Sequence, residues 1–418
     1  MIAIALPDIV QALRVDLVSA TWLITLYLIA MAALQPVGGK LGDTYGRRRL
    51  LLGSLAWFGA ASLGAALASG LEWLIAFRLL QALAGAVMFP NAGALVRAEV
   101  GERRGSAYAL IAAATGTGAA AGPVLGGVLV ASFGWQATFL VNLPLVGLAL
   151  VLAHRSIPAD GPRASGRFDA VGAVWLSALL GLGAWTLGRL RSETAAMTAA
   201  LVSILVVAGV AFARFERGRT DAIIRPDLFR DRTFAAANGA IALGNLAMYG
   251  TMLAVPIVLA GSADGAGAAL GSGLALSALF VTSVALSPLG GRYADRVGRR
   301  WPAVTGYAIF AAGSLALAVA PPAAFLPALM LSGVGLGLSA GGLRAAAVES
   351  VDRVRAGLAS GIFSTSRYAG GIAGALLVSL LVGDEGAGAL HAVCAAGALG
   401  ASACALLLED WPGSAASP

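Results

Sequence analysis

Long apolar runs, broken only by short polar segments, constrain this chain more than any other feature. Complete runs lie at about 21–37, 50–68, 73–96, 106–131, 138–153, 170–188, 195–212, 234–260, 267–289, 302–320, 323–343, 357–382 and 388–408. Runs of about 20 apolar residues match the thickness of a bilayer's hydrocarbon core. Such segments span lipid as helices, because a helix satisfies its own backbone polar groups there. A lipid-spanning barrel would show short alternating strands instead, and the sequence has none. Charged residues are 12% of the chain, against about 25% in soluble domains. The expected fold class is therefore an all-α polytopic membrane protein. Thirteen runs are complete, and the opening "MIAIALP" reads as the tail of a fourteenth.

The basic residues give the orientation. If the segment Gly38–Arg49 is cytoplasmic and sides alternate, cytoplasmic segments hold 23 of the 28 Lys and Arg residues. External segments hold Arg14, Arg189 and Arg191, and Arg78 and Arg367 fall inside runs. That asymmetry is a strong positive-inside signal. It also accounts for the net charge of +7 without nucleic acid, since the basic residues are scattered through short loops and make no single face.

One charged segment occurs twice. "GGKLGDTYGRRR" at Gly38–Arg49 is echoed by "GGRYADRVGRR" at Gly290–Arg300, with Gly39, Asp43 and Gly46 matched by Gly291, Asp295 and Gly298. Each copy lies between the second and third spans of a six-span set, when the partial first span is counted. The chain thus reads as residues 1–154, a six-helix half with its first helix incomplete; residues 155–232, two extra helices with cytoplasmic linkers; residues 233–408, a second six-helix half; and 409–418, a short cytoplasmic tail. Parallel repeats of this kind enclose a site at their interface and rock about it, as secondary transporters do.

Other chemistries lack their residues. Cys394 and Cys404 share one apolar run, His154 and His391 are isolated, and no metal-ligand or nucleophile spacing is present. No Walker pattern occurs, and Gly116–Gly118 and Gly333–Gly335 sit inside helical runs rather than after strands, so they read as packing glycines. Neither an enzyme, a cofactor nor a metal is expected.

With these features in place, the chain resembles the major facilitator superfamily, specifically its fourteen-span drug:proton antiporter branch, over essentially its whole length. "GKLGDTYGRRR" (Gly39–Arg49) matches the superfamily's loop signature, and "LIAFRLLQALAGA" (Leu74–Ala86) its fourth-span motif. "GAAAGPVLGG" (Gly118–Gly127) matches the fifth-span antiporter motif, although Ala109 stands where the pattern has an upstream glycine. "WQATFLVNLP" (Trp135–Pro144) resembles the Trp, Phe, Asn-x-Pro signature of the branch, and "GLASGIFSTSRYAGGIAG" (Gly357–Gly374) its thirteenth span. The resemblance implies a major facilitator fold of two pseudo-symmetric six-helix bundles plus two inserted helices. It also implies a proton gradient as energy source, a monomer, and a multi-pass place in a bacterial inner membrane.

The residues carry physical expectations. Gly39 and Gly46 permit tight turns and close helix approach. Asp43 can pair with arginines or with a helix N-terminus, and the resemblance makes Gly39, Asp43, Gly46, Arg47 and Arg48 a cytoplasmic latch between the halves. Gly291, Asp295, Gly298 and Arg299 are its second copy, with Tyr293 in place of Leu41. The alternative is a topology anchor only. Gly118, Gly122, Pro123, Gly126 and Gly127 present a small helix surface with a breaker, suited to a hinge or seal, or to ordinary close packing. Arg78 with Gln81 is a candidate for proton coupling, since an intramembrane arginine is costly; snorkelling to the interface is the alternative. In Gln81-Ala82 the family's glycine is replaced. Cavity candidates are Tyr27, Gln35, Asn91, Asn142, Trp175, Trp185, Asn238, Asn245, Tyr249, Ser364, Arg367 and Tyr368. Taken singly, each reads first as a helix–helix hydrogen bond or interface anchor. As a set they suggest a large, mostly apolar pocket with few polar groups, which suits hydrophobic or amphipathic substrates.

All 21 acidic residues fall in loops or at span ends. In the family an Asp of the first span, upstream of "ALP", commonly carries the proton. Here four residues precede Ala5-Leu6-Pro7, and a start assigned too late at Met1 is the expectation. Export by proton antiport is the leading expectation. A facilitator or importer of a polar solute, and a non-transporting membrane sensor on the same fold, are the alternatives.

Overall fold

The computed structural model describes residues 1–99, 104–159, 170–188, 194–217, 219, 226–260, 265–319, 321, 324–351, 356–381 and 386–409. Among these, regular structure is helical, with one 3-10 turn at Pro226–Arg230 and no strand. The helices in the first half of the chain are α1 (Ile2–Leu13), α2 (Leu17–Tyr45), α3 (Arg47–Ala66), α4 (Leu71–Glu99), α5 (Arg104–Phe133), α6 (Ala137–Leu140) and α7 (Asn142–Ser156). The intervening pair is α8 (Ala170–Gly188) and α9 (Ala195–Glu216). Then follow α10 (Arg232–Ala260), α11 (Gly265–Val297), α12 (Arg300–Val319), α13 (Phe325–Glu349), α14 (Ala356–Leu381) and α15 (Gly386–Ala405). Eleven candidate spans are long and apolar enough to cross a membrane among the described residues.

"MIAIALP" is more than a tail. Helix α1 continues through Pro7 to Leu13 and stops where Arg14 takes a left-handed conformation, φ 53°. Asp16 then caps α2, its carboxylate accepting from the Ser19 amide at 2.8 Å and the Ser19 hydroxyl at 2.6 Å. Both bonds hold the carboxyl below its ordinary range, the hydroxyl contributing most.

The repeated charged segment is not a loop. Helix α2 runs through the first copy to Tyr45 and α11 through the second to Val297. The chain turns at the last glycine of each: Gly46 has φ 102° and Gly298 has φ 86°, a region that side chains with a Cβ rarely enter. Close approaches are made at Gly38 and Gly290, the first glycine of each copy. A Cβ on Gly38 would run into the backbone of Ala86 and Val87 on α4, and one on Gly290 would sit 2.7 Å from the Gly337 carbonyl on α13. Gly291 faces open space.

Helix pairing repeats in the same order as the sequence. The contact of α2 with α4 has its counterpart in α11 with α13, and α3 with α4 in α12 with α13. Across the repeat, α5 packs on α11 and α14 on α2, which are again counterparts. Helix α8 lies against both α2 and α14, beside that second contact, with α9 packed on α8. Small residues dominate the core, where Ala82, Ala86, Ala247, Ala254 and Ala375 are buried. Helices of this kind are held by close van der Waals fit rather than by expulsion of water.

Candidate functional site

Arg78 lies two turns into α4 and points inward instead of snorkelling. Its Nε donates to the Leu23 carbonyl of α2 at 3.3 Å, and its Nη1 to Gln81 Oε1 at 2.9 Å. The guanidinium sits 4.3 Å above the Tyr27 ring, an attraction worth about 2 kcal/mol when desolvated. Gln81 is buried and passes the contact on, its Nε2 donating to Ser62 Oγ of α3 at 2.7 Å. Ser62 donates to the Phe58 carbonyl at 2.7 Å, and Asn142 Nδ2 of α7 approaches Ser62 Oγ at 3.4 Å. Arg78, Gln81 and Tyr27 therefore form one group, to which α2 contributes Tyr27. Ser62 was not legible in advance, because a serine in an apolar run ordinarily bonds its own helix.

A second group lies on the seam between α2, α10 and α14. Gln35 Nε2 donates to Tyr368 Oη at 3.0 Å, and Thr365 donates to the Ala32 carbonyl at 3.3 Å. Arg367 is exposed at mid-helix, its guanidinium 4.8 Å from the Tyr368 ring. A Cβ on Gly371 would meet the Tyr249 ring at 3.0 Å and Leu28 at 3.4 Å, so α10, α14 and α2 converge there. Tyr27, Tyr249 and Tyr368 lie within electrostatic reach of one another, and Arg78 and Arg367 reach them too. Ser364 is half-buried on the same helix.

Other cavity candidates have structural duties. Asn91 clamps α4 to α2, its Nδ2 donating to the carbonyls of Gly38 and Val87 at 2.8 Å each, with Gly42 closing over its side chain. Asn142 belongs to the Ser62 group. Asn238 and Asn245 bond the Phe234 and Ile241 carbonyls of their own helix at 2.8 and 3.0 Å. Ser366 of α14 donates to Asn238 Oδ1 at 2.8 Å, tying α14 to α10. Trp175 stacks on Phe212 and Phe215 and joins α8 to α9. Trp185 is exposed.

The fifth-span motif divides in two. Gly127 and Pro123 face α11: a Cβ on Gly127 would lie 2.7 Å from the Ala269 carbonyl, and one on Gly273 would lie 2.6 Å from the Pro123 carbonyl. Gly126 approaches Met1 of α1, at 2.9 Å by the same measure. Gly118 and Gly122 have nothing within 4 Å, so they are not packing glycines. Near this contact a small cavity of about 30 Å³ is lined by Asp8 and Gln11 of α1, Pro256 of α10, and Ala269 and Ser272 of α11.

Of the gating residues, the side chains of Asp43 and Asp295, and the surroundings of Gly39, lie outside the described residues. The arginines of the repeat have a visible task. Arg48 Nη2 donates to the His154 carbonyl in the last turn of α7 at 2.7 Å. Its counterpart Arg300 donates from Nε to the Leu408 carbonyl just beyond α15 at 2.9 Å. Each brings a cation to the carbonyl-rich end of a helix, where it is stabilising. Arg47 and Arg299 make interactions of their own.

Residues 1–215 and 227–417 match the profile of the Major Facilitator Superfamily. The chain is 34% identical over 395 residues to the uncharacterized MFS-type transporter YvkA of Bacillus subtilis, covering 92% of this chain and 86% of that one. It is 31% identical to the multidrug resistance protein B homolog of Mycobacterium tuberculosis (86% and 68% covered). It is 30% identical to the tetracenomycin C resistance and export protein of Streptomyces glaucescens (92% and 73% covered). Among solved structures, a peptide transporter POT in complex with sulfate superposes with a TM-score of 0.72 at 17% identity, over 97% of this chain and 89% of that one. This last likeness concerns the fold.

Proposed function

The chain belongs to the Major Facilitator Superfamily and is a multi-pass membrane transporter, and from that premise we propose that it exports hydrophobic or amphipathic small molecules in exchange for protons. It belongs, on this reading, to the fourteen-span branch and works as a monomer in a bacterial inner membrane. The units 1–154 and 233–408 rock about the seam between them, and the pair within 155–232 flanks it. The proton gradient supplies the energy, and no cofactor takes part.

One observation carries the reading. A seam lined by Tyr27, Tyr249 and Tyr368, with Arg78 beside the Tyr27 ring and Arg367 beside the Tyr368 ring, runs between α2 of the first half and α10 and α14 of the second, and Gly127 of the fifth-span motif seats α5 on α11 at the counterpart of the α2–α14 contact. Aromatic faces with two cations and few other polar groups suit flat, apolar solutes. The names of two relatives, a multidrug resistance protein B homolog and a tetracenomycin C resistance and export protein, support the export of small molecules. Gly39, Asp43, Gly46, Arg47 and Arg48, with Gly291, Asp295, Gly298 and Arg299, are the proposed cytoplasmic latch.

Everted membrane vesicles test the proposal. An interior-acid pH gradient drives ethidium uptake, a protonophore abolishes it, and Arg78→Ala removes the dependence on the gradient while leaving the protein folded. Uptake that runs only down the ethidium gradient, with the protonophore without effect, refutes antiport and leaves a facilitator.

A further inference from the structure

We propose that Ser62 and Asn142 are positioning residues for Arg78, acting through Gln81. The functional meaning of this proposal rests on the antiport reading above, whereas its structural content rests on hydrogen-bond direction alone. The hydroxyl proton of Ser62 is committed to the Phe58 carbonyl at 2.7 Å within α3. Toward the rest of the group Ser62 Oγ is therefore only an acceptor. Gln81 must turn its Nε2 to that oxygen, at 2.7 Å, which leaves Oε1 facing Arg78 Nη1 at 2.9 Å. With the amide reversed, an NH2 would face the guanidinium and the amide oxygen would face the Ser62 lone pairs. Both contacts would be lost in a place where Gln81 is 1% exposed. Leaving buried donors and acceptors unpaired in this way is strongly unfavourable, because each has given up water without a replacement partner.

The orientation of one amide is thus decided on α3 and delivered to a cation on α4. With Gln81 on one side and the Leu23 carbonyl on the other, the guanidinium is held over Tyr27. Asn142, at the first position of α7, approaches the same Ser62 oxygen at 3.4 Å. A hydroxyl oxygen has two lone pairs, and Gln81 and Asn142 take both. Four helices, α2, α3, α4 and α7, are joined in one directional chain that ends at Arg78. A movement of α3 or α7 against α4 would release Gln81 and with it the cation.

The test is a double-mutant cycle on ethidium transport in everted vesicles, with Ser62→Ala, Gln81→Ala, the double variant and Ser62→Thr. Loss of one hydrogen bond to a charged group's partner predicts a turnover about tenfold lower in each single variant, at unchanged KM and with the same displacement of the pH profile. The double variant should fall no further than either single one, and Ser62→Thr, which keeps the acceptor, should retain wild-type turnover and pH profile. Multiplicative losses in the double variant, an undisplaced pH profile, or a threonine variant that folds and transports as poorly as alanine would each overturn the proposal. Insensitivity of the wild type to a protonophore refutes antiport alone, because the same cycle is readable with ethidium running down its own gradient. If the wild type does not move ethidium, the cycle is read on thermal unfolding, where additive shifts overturn the chain of contacts and non-additive shifts uphold it.

Discussion

Substituting Gly127 by alanine puts a single methyl group between the two repeats. The new Cβ would lie 2.7 Å from the Ala269 carbonyl and 3.3 Å from the Gly273 Cα on α11. Ordinary contact begins at 3.4 Å, so α5 and α11 must part by roughly 0.7 Å, an overpacking strain of about 1–3 kcal/mol. A conformation in which those helix segments are already apart escapes the strain. The equilibrium between the two therefore shifts by about 5- to 150-fold toward separation. Ser272, buried one turn from Ala269 and beside the Asp8 cavity, reports this directly. In a Cys394→Ala, Cys404→Ala background, Ser272→Cys should react with a membrane-impermeant maleimide severalfold faster once Gly127→Ala is added. Gly122→Ala is the control: it has the same helix-propensity gain, of about 1 kcal/mol, but its Cβ meets nothing within 4 Å. Equal labelling in the presence and absence of Gly127→Ala, or an equal acceleration by Gly122→Ala, would refute the assignment of this glycine to the contact between repeats.

Other perturbations follow from the same geometry. Gly46→Ala, at φ 102°, should destabilise by about 1–3 kcal/mol, whereas Gly53→Ala, exposed in α3 with nothing within 4 Å, should stabilise by about 0.5–1 kcal/mol; thermal unfolding of the two in detergent should move in opposite directions. Asn91→Ala should lower stability by about 1–3 kcal/mol without altering the KM for substrate, and a changed KM would return Asn91 to the substrate site. Asp16→Ala should cost about 1 kcal/mol at neutral pH. Because the folded carboxyl is held below its ordinary range by Ser19, that contribution is complete above the range and fades as pH falls through the lowered value; the difference in unfolding temperature between wild type and variant should vanish in acid.

The membrane class and the repeat were legible because both are written in one dimension. Apolar run length reports a bilayer crossing whatever the partners are, and arginine placement reports sidedness. Gly46 was legible as a turn residue, since positive φ is a local property, whereas Gly39, for which a turn was also expected, lies within α2. The matched fourth-span pattern puts Arg78 and Gln81 one turn apart, where they bond each other; that Tyr27 of α2 joins them was not legible. For Asn91, Asn142, Asn238 and Asn245 the sequence left a cavity contact and a helix-packing hydrogen bond both open, and the structure shows the hydrogen bonds. A polar residue in an apolar helix is equally consistent with a cavity and with a neighbouring backbone carbonyl, and only the neighbour decides.

The sequence by itself determined what must hold along the chain: helical spans long enough for lipid, a duplicated unit, and a glycine, Gly46, where the chain turns. Tertiary structure decided what depends on the approach of separate helices. It placed close contacts at Gly38 and Gly290, with Gly291 facing open space, and split the fifth-span motif into glycines that touch α11 or α1 and glycines that touch nothing. It also drew Ser62 into contact with Gln81, 19 residues away. The physical reason is that membrane helices associate through close fit and a few hydrogen bonds, without a hydrophobic drive between them. A shift of one residue around a helix turns a contact face by about 100°, and no run length or composition records that turn.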